Sequence, residues 1–321
     1  MFFDYNHPSI EYTGRFADFD GKKQTVLCGS VIKIAFKGDY ILLNFDTSEN
    51  ESPMPHVYLS LDGGAKVEAA LDKFLRVEAT YGEHQLSVIF KSKKSIQERF
   101  KTPTVGKMAF IGYYAENSAA LLPDERRTVE IIGDSITEGQ LVDSDLIVTP
   151  EDDQNMYPYQ NDATASYAWL TAKALGLRLI QVGHGGAAVT RTAVKLPRAI
   201  DFYDFCFEHA PVAYKSPDYV IINYGANDVK SEAKDFVDAY RELLTKIRKK
   251  HQSATIIVLA PFVGAFSEEL SMLVSSFNEN NADTVSFIDT SGWIAKEPLH
   301  PLRETHKIIA ERLVAELKNI I

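Results

Sequence analysis

From about residue 123 onward the sequence alternates short, unbroken apolar runs with segments of helical period, and this alternation limits the fold more than any other feature. Val129-Glu130-Ile131-Ile132, Arg178-Leu179-Ile180-Gln181-Val182, Tyr219-Val220-Ile221-Ile222-Asn223, Thr255-Ile256-Ile257-Val258-Leu259 and Val285-Ser286-Phe287-Ile288 are rich in aliphatic residues at both parities. Such runs suit strands covered by helices on both faces. Between them, Tyr167 to Leu175 stops at Gly176, a natural helix end. In the segment 233–250, Phe236, Val237, Tyr240, Leu243, Leu244 and Ile247 recur at the spacing of one helix face, and Ile309, Leu313, Leu317 and Ile320 do so near the carboxyl end. Five strands alternating with helices predict an α/β domain with a doubly wound, largely parallel sheet, spanning residues 123–321.

The first 122 residues follow a different rule. Val31 to Phe36, Tyr40 to Phe45, Val57 to Leu61 and Gln85 to Phe90 are strand-like, and Lys37-Gly38-Asp39, Asp62-Gly63-Gly64 and Tyr81-Gly82-Glu83 offer turn chemistry between them. Short strands without helical period predict an all-β sandwich or jelly-roll domain over 1–122, with Val105 to Tyr114 as a closing strand. The polar stretch Pro123-Asp124-Glu125-Arg126-Arg127 reads as the boundary. No tight group of catalytic residue types occurs in this front domain. Tyr12, Phe16 and Phe19 are expected in its packing rather than as sugar platforms, and the domain is expected to support or shape a cleft, or to contact carbohydrate. The region from Gln140 to Ala165 is acidic and poorly periodic, so it is expected as an insertion over the carboxyl end of the parallel sheet.

Charge narrows the partners. A chain of 321 residues with net charge −10 is poorly suited to nucleic acid or an anionic membrane. No apolar stretch reaches the length of a membrane span. The two cysteines, Cys28 and Cys206, lie far apart with no motif around them, and the first residues, Met1 to Pro8, show neither a basic start nor an apolar run. A cytoplasmic location with reduced thiols is the corresponding expectation. Oligomeric state is left open.

The chemistry centres on Gly133-Asp134-Ser135-Ile136-Thr137-Glu138-Gly139, which puts a serine just past the carboxyl end of the first parallel strand. In open α/β sheets ligands sit at that end. A serine nucleophile needs a base for its proton and donors for the oxyanion. Three other stretches fall on the same edge: Gly183-His184-Gly185-Gly186 after the second strand, Tyr224-Gly225-Ala226-Asn227-Asp228 after the third, and Glu297-Pro298-Leu299-His300-Pro301 before the last helix. The first offers backbone amides, the second a side-chain amide, the third a histidine with a carboxylate three residues before it.

Taken together, these blocks resemble those of the SGNH (GDSL-type) hydrolases, in the family's order over about residues 128–320. The resemblance implies a flavodoxin-like three-layer catalytic domain. It implies Ser135 as nucleophile, His300 as general base and then acid, and an oxyanion hole from the amides of Ser135 and Gly186 with the side chain of Asn227. Glu297 stands where the family usually has aspartate, and either it orients His300 through a longer side chain or a backbone carbonyl does so in its place. A β-sandwich ahead of such a domain, with Tyr12-Thr13-Gly14-Arg15 near its start, is similar to carbohydrate esterase family 2, which removes acetyl groups from plant-type polysaccharides and oligosaccharides and is known for weakening or dispensing with that acid. The implied activity is acetyl-ester hydrolysis on acetylated xylo- or manno-oligosaccharides, without metal or organic cofactor.

Other readings remain beside this one. Gly183-x-Gly185-x-x-Ala188, with Asp201 further on, satisfies a loose dinucleotide-binding pattern but leaves Ser135 and His300 unexplained. His306 follows His300 at a spacing that a metal pair could use, though no third ligand is evident. His184 and Trp293 are candidate substrate contacts, with packing as the plainer role for each. Asp134 and Asp228 are expected to hold their turns by hydrogen bonding. A lipid or short-chain acyl esterase or thioesterase is the neighbouring enzyme reading, and a carbohydrate-binding protein the non-catalytic one. The acidic insertion with Tyr157 and Tyr159 leans toward a polar substrate.

Overall fold

A computed structural model of the chain describes residues 1–94, 100–146, 158–191, 196–212, 216–281, 284–295 and 297–321. Residues 147–157 of the predicted insertion, Tyr157 included, lie outside the described residues.

The front part is one curled antiparallel sheet of ten strands. Two long strands, β1 (Val31–Phe45) and β2 (Phe74–Ser92), run through it side by side, and β3 (Met108–Tyr114) pairs with the second half of β1. The sequence pattern suggests a break at Lys37-Gly38-Asp39, yet the strand continues. Ile32, Ile34 and Phe36 point into the core, and beyond Gly38 so do Ile41, Leu43 and Phe45. The inward parity therefore flips, which a period of two forbids unless a residue is added. That addition is a bulge where the register shifts between Gly38 and Tyr40. Gly38 meets it with φ +147°, and a Cβ there would press on Glu116 at 3.3 Å. Tyr81-Gly82-Glu83 is likewise absorbed into β2, whereas Asp62-Gly63 is a turn as expected, both residues with positive φ.

From Thr128 the parallel domain begins. Its strands are β4 (Thr128–Gly133), β5 (Arg178–Gly183), β6 (Tyr219–Asn223), β7 (Thr255–Leu259) and β8 (Ser286–Ile288), and their spatial order is β5-β4-β6-β7-β8, all parallel. The helices used below are α1 (Ser135–Glu138), α2 (Tyr167–Ala174), α3 (Ala233–Lys250), α4 (Ser267–Asn281) and α5 (Arg303–Leu317). Successive strand residues face opposite sides. Ile132, Val220, Ile222 and Val258 pack with Phe236, Tyr240 and Leu244 of α3 and Leu270 of α4. Val129, Ile131, Ile221 and Ile257 pack with Tyr167 of α2 and Ile309, Leu313 and Leu317 of α5. The result is the doubly wound, three-layer α/β arrangement read from the sequence.

The two parts are built into each other. Arg15 of the front part is fully buried against Glu130 of β4, its Nε and Nη2 donating to Oε1 at 3.0 and 2.8 Å, while Tyr203 donates to Oε2 at 2.9 Å. Removing one partner of such a buried pair strands the other charge, at about 3–5 kcal/mol. Ala17, Val26 and Leu27 enter the core of the parallel domain, and Ala163 enters that of the front domain. Phe16 is buried with the ring of Tyr12 edge-on to it, and Phe19 packs on Phe207, so all three serve packing.

Candidate active site

Strand β4 ends at Gly133, and a side chain could not be fitted there. A Cβ would lie 2.1 Å from Thr137 Oγ1 and 2.7 Å from the Asn223 carbonyl, so only glycine lets the chain turn this close to β6. Asp134 then caps α1, its Oδ1 accepting from the Ile136 N–H at 2.9 Å. Gly139 closes the helix in the left-handed region at φ +82°. Ser135, the first residue of α1, is 7 % exposed, and its Oγ lies 2.9 Å from His300 Nε2. The candidate nucleophile and its candidate base are thus in hydrogen-bond reach across 165 residues of chain. Burial lifts the Asp134 carboxyl to about 7, the charge of Asp228 adding to the effect.

His300 sits just before α5. Behind it, Arg303 ties the segment down: its N–H donates to Val142 O at 2.9 Å, Nε to Asp143 Oδ1 at 2.8 Å, and Nη2 to Asp162 at 3.1 Å. Burial lowers the His300 pKa from its ordinary 6.5, and the charge of Glu138 opposes that shift. An imidazole kept neutral is what a general base requires. His306 faces the other way. It is fully buried, its Nδ1 accepts from the Tyr167 N–H at 3.0 Å, and burial pushes it down to about 3. It is a packing residue and a neutral one.

The loops that carry the candidate oxyanion donors are cross-tied. Glu138 of α1 is buried, and its Oε2 accepts from the Gly185 N–H at 2.7 Å and from Gln140 Nε2 at 2.8 Å. This carboxylate fixes the glycine loop after β5 to the nucleophile turn. Gly186 follows in the left-handed region at φ +81°. Asp228, also buried, accepts from the N–H groups of Val189 at 3.2 Å and Thr190 at 2.9 Å, joining the loop after β5 to the loop after β6. Asn227 Nδ2 donates to Ala187 O at 2.9 Å, which uses one of its two hydrogens and leaves the other for an anion. Among the described residues neither the Ser135 nor the Gly186 amide has a backbone acceptor.

Three sequence candidates are not drawn into this group. Glu297 is exposed and has no hydrogen bond or ion pair to His300 among the described residues. His184 is 1 % exposed, with its ring edge-on to Phe202 at 4.9 Å, so it belongs to the interior rather than to a substrate surface. Trp293 is half-buried and packs on the core cluster that holds Tyr167 and Ile309. Conversely, Glu138 and Arg303 do positioning work that the sequence reading left unassigned. Glu138 stood in plain view in the serine motif; only the fold shows which loop it grips.

The cellulase/esterase CelE of Acetivibrio thermocellus is 26 % identical over 98 % of this chain, which spans 40 % of that protein's length. An acetylxylan esterase / glucomannan deacetylase of Cellvibrio japonicus is 26 % identical over 75 % of this chain and 68 % of its own. The structure of a family two carbohydrate esterase from Cellvibrio japonicus superposes with a TM-score of 0.80 at 20 % identity, over 100 % of this chain and 97 % of that one, a likeness of fold across both parts. The model of the GDSL-like lipase/acylhydrolase family matches residues 131–307, more than half of the chain, and the match takes in Ser135, Gly186, Asn227 and His300. The chain belongs to the GDSL-like lipase/acylhydrolase family.

Proposed function

We propose that the protein is a serine esterase that removes O-acetyl groups from carbohydrate, with acetylated xylo- or manno-oligosaccharides as substrates. The observation that carries this reading is the 2.9 Å contact between Ser135 Oγ and His300 Nε2 beside the loops of Gly186 and Asn227. His300 Nε2 takes the proton as Ser135 Oγ attacks the acetyl carbonyl. The oxyanion that forms is met by the N–H groups of Ser135 and Gly186 and by the remaining N–H of Asn227. On collapse, the imidazolium returns the proton to the departing sugar hydroxyl and leaves an acetyl-enzyme. A water then gives its proton to His300, attacks the acetyl carbon, and releases acetate with Ser135 restored.

The choice of a sugar ester is supported by the relatives, one of them named for xylan and glucomannan deacetylation, and by the likeness to a carbohydrate esterase through the front domain as well as the catalytic one. The test is acetate release from acetylated xylo- and manno-oligosaccharides beside a panel of acyl esters of increasing chain length. Turnover of the acetylated sugars, abolished in Ser135→Ala, is the expected result. Preference for long acyl chains, or full activity in Ser135→Ala, would sink the proposal.

A further inference from the structure

A cavity lies between the two domains and away from Ser135, with a volume of about 570 Å³. One wall is a face of the front sheet lined by Val31, Lys33, Ser87 and Ile89, of which the first three alternate with buried residues of β1 and β2. The other wall is α2, with Trp169 and Lys173, and the cavity reaches Arg178 at the start of β5. Ser135 stands at the opposite, carboxyl end of the sheet, about 20 Å away for a strand of this length.

The chain carries a net charge of −10, yet this cavity is lined by Lys33, Lys66, Arg126, Lys173 and Arg178 against the single carboxylate of Asp124. Three of the cations have partners. Arg126 meets Asp124 at 2.6 Å, Arg178 meets Glu11 at 2.8 Å, and Lys33 lies 3.9 and 4.0 Å from Glu11 and Asp124. Lys66 and Lys173 have no ion pair among the described residues. Lys66 comes from the front domain and Lys173 from α2. Lys66 Nζ donates to Thr164 Oγ1 at 2.7 Å and lies 4.5 Å from the centre of the Tyr58 ring. Burial lowers its pKa, the charge of Asp162 opposes this, and Lys173 lowers it further. The charge of Asp162 reaches Lys66 but is shared with Tyr58 and Thr164, and Lys173 has no carboxylate partner among the described residues, so an anion joining the two ammonium groups would relieve their repulsion.

We infer that this interdomain cavity binds an anionic sugar, a uronic-acid unit of an oligosaccharide, with its carboxylate at Lys66 and Lys173 and its ring against Trp169. A bare inorganic anion would use the ammonium groups and leave the wall of Trp169, Ala172 and Leu179 idle. A pyranose bearing a carboxylate uses both, since an aromatic face offers apolar contact and the charges offer strong hydrogen bonds. The assignment of a sugar rests on the proposed carbohydrate esterase activity; the site itself rests on the charges.

The experiment is titration calorimetry with a non-acetylated, glucuronic-acid-bearing xylo-oligosaccharide, beside the neutral xylo-oligosaccharide of equal length and inorganic phosphate. The wild type should bind the acidic oligosaccharide preferentially. Lys173→Gln and Trp169→Ala should each weaken that binding about 10-fold or more, while their turnover of a small acetyl ester stays at the wild-type level. Lys173 is exposed on its helix, so the glutamine variant keeps the test open even where the tryptophan change disturbs packing. Equal binding of the acidic and neutral oligosaccharides, or binding unmoved by Lys173→Gln, overturns the site. Phosphate binding as tightly as the acidic oligosaccharide overturns the sugar assignment. None of these outcomes depends on whether acetylated sugars are turned over, so the two proposals fail separately.

Discussion

Ser135 stands on a turn whose polar neighbours are tied to one another, whereas His300 stands on a segment that meets the rest of the site at few points. Around the serine, Asp134 caps the helix, Glu138 grips Gly185, and Asp228 grips Val189 and Thr190. Gly133 and Gly185 are so closely packed that a Cβ would fall 2.1 Å from a neighbouring side chain in each case. Around the histidine, one bond reaches Ser135, and the anchoring is supplied further on by Arg303. The difference fits the proposed tasks. Oxyanion donors act only if they are fixed before charge develops, so their loops are bound to each other. A base that takes, holds and returns a proton needs reach and a suitable pKa more than a rigid cage.

The strongest way to test that division is to remove each member in turn. His300→Ala should lower kcat by about 10⁴-fold or more, because the serine then has no acceptor for its proton at 2.9 Å. Acetate release under saturating substrate measures it. A loss of tenfold or less would mean that another group takes the proton. Asn227→Ala should cost roughly 100- to 1,000-fold in kcat with KM little changed, as expected for a donor that engages only the transition state. A change confined to KM would instead place Asn227 in ground-state binding.

The pH profile tests the electrostatics of the base. Burial lowers the His300 pKa, so the neutral form persists below pH 6.5 and the acid limb of kcat/KM should lie below that value. Glu138 opposes the shift, and Glu138→Gln keeps an acceptor for Gly185 while removing the charge. That variant should move the acid limb lower still, at a cost of about tenfold in rate as the imidazolium loses support. A purely structural role for Glu138 would lower the rate and leave the limb in place. Stability runs the same way for His306: its folded pKa of about 3 lies below the unfolded value of 6.5, so its neutral burial costs stability progressively as the pH falls between the two.

Much of this was legible beforehand, and what was not has particular causes. The five parallel strands announce themselves because a strand covered on both faces must be apolar throughout, as in Ile256 to Leu259. The bulge at Gly38 was misread as a turn because glycine serves both, and only the switch of inward parity from Phe36 to Ile41 tells them apart. Ser135, Gly186, Asn227 and His300 could be placed on one edge because strand order sets that edge. Glu138 could not be assigned, since its partner at Gly185 lies 47 residues away and depends on β5 lying next to β4. His184 and Trp293 were ambiguous for the opposite reason: an aromatic or imidazole near a motif looks the same in sequence whether it lines a cleft or fills a core.

The smallest effect expected here is also the one that most sharpens the comparison. Glu297 precedes His300 by three residues, the spacing at which the family places its orienting acid, yet its side chain is exposed and makes no bond to His300 among the described residues. A carboxylate in open solvent contributes little to a neighbouring charge, because water screens it and nothing fixes its geometry. Glu297→Gln should therefore change kcat/KM by less than about threefold and leave the acid limb unmoved, while His300→Ala removes about 10⁴-fold. If the glutamine variant instead loses as much as the histidine variant, the carboxylate closes on the imidazole when substrate is bound, and the loosely held arm of the site becomes a triad only in the working complex. If it loses little, the imidazolium is steadied without Glu297, by a backbone carbonyl or by the charge of Glu138 on the nucleophile's own helix.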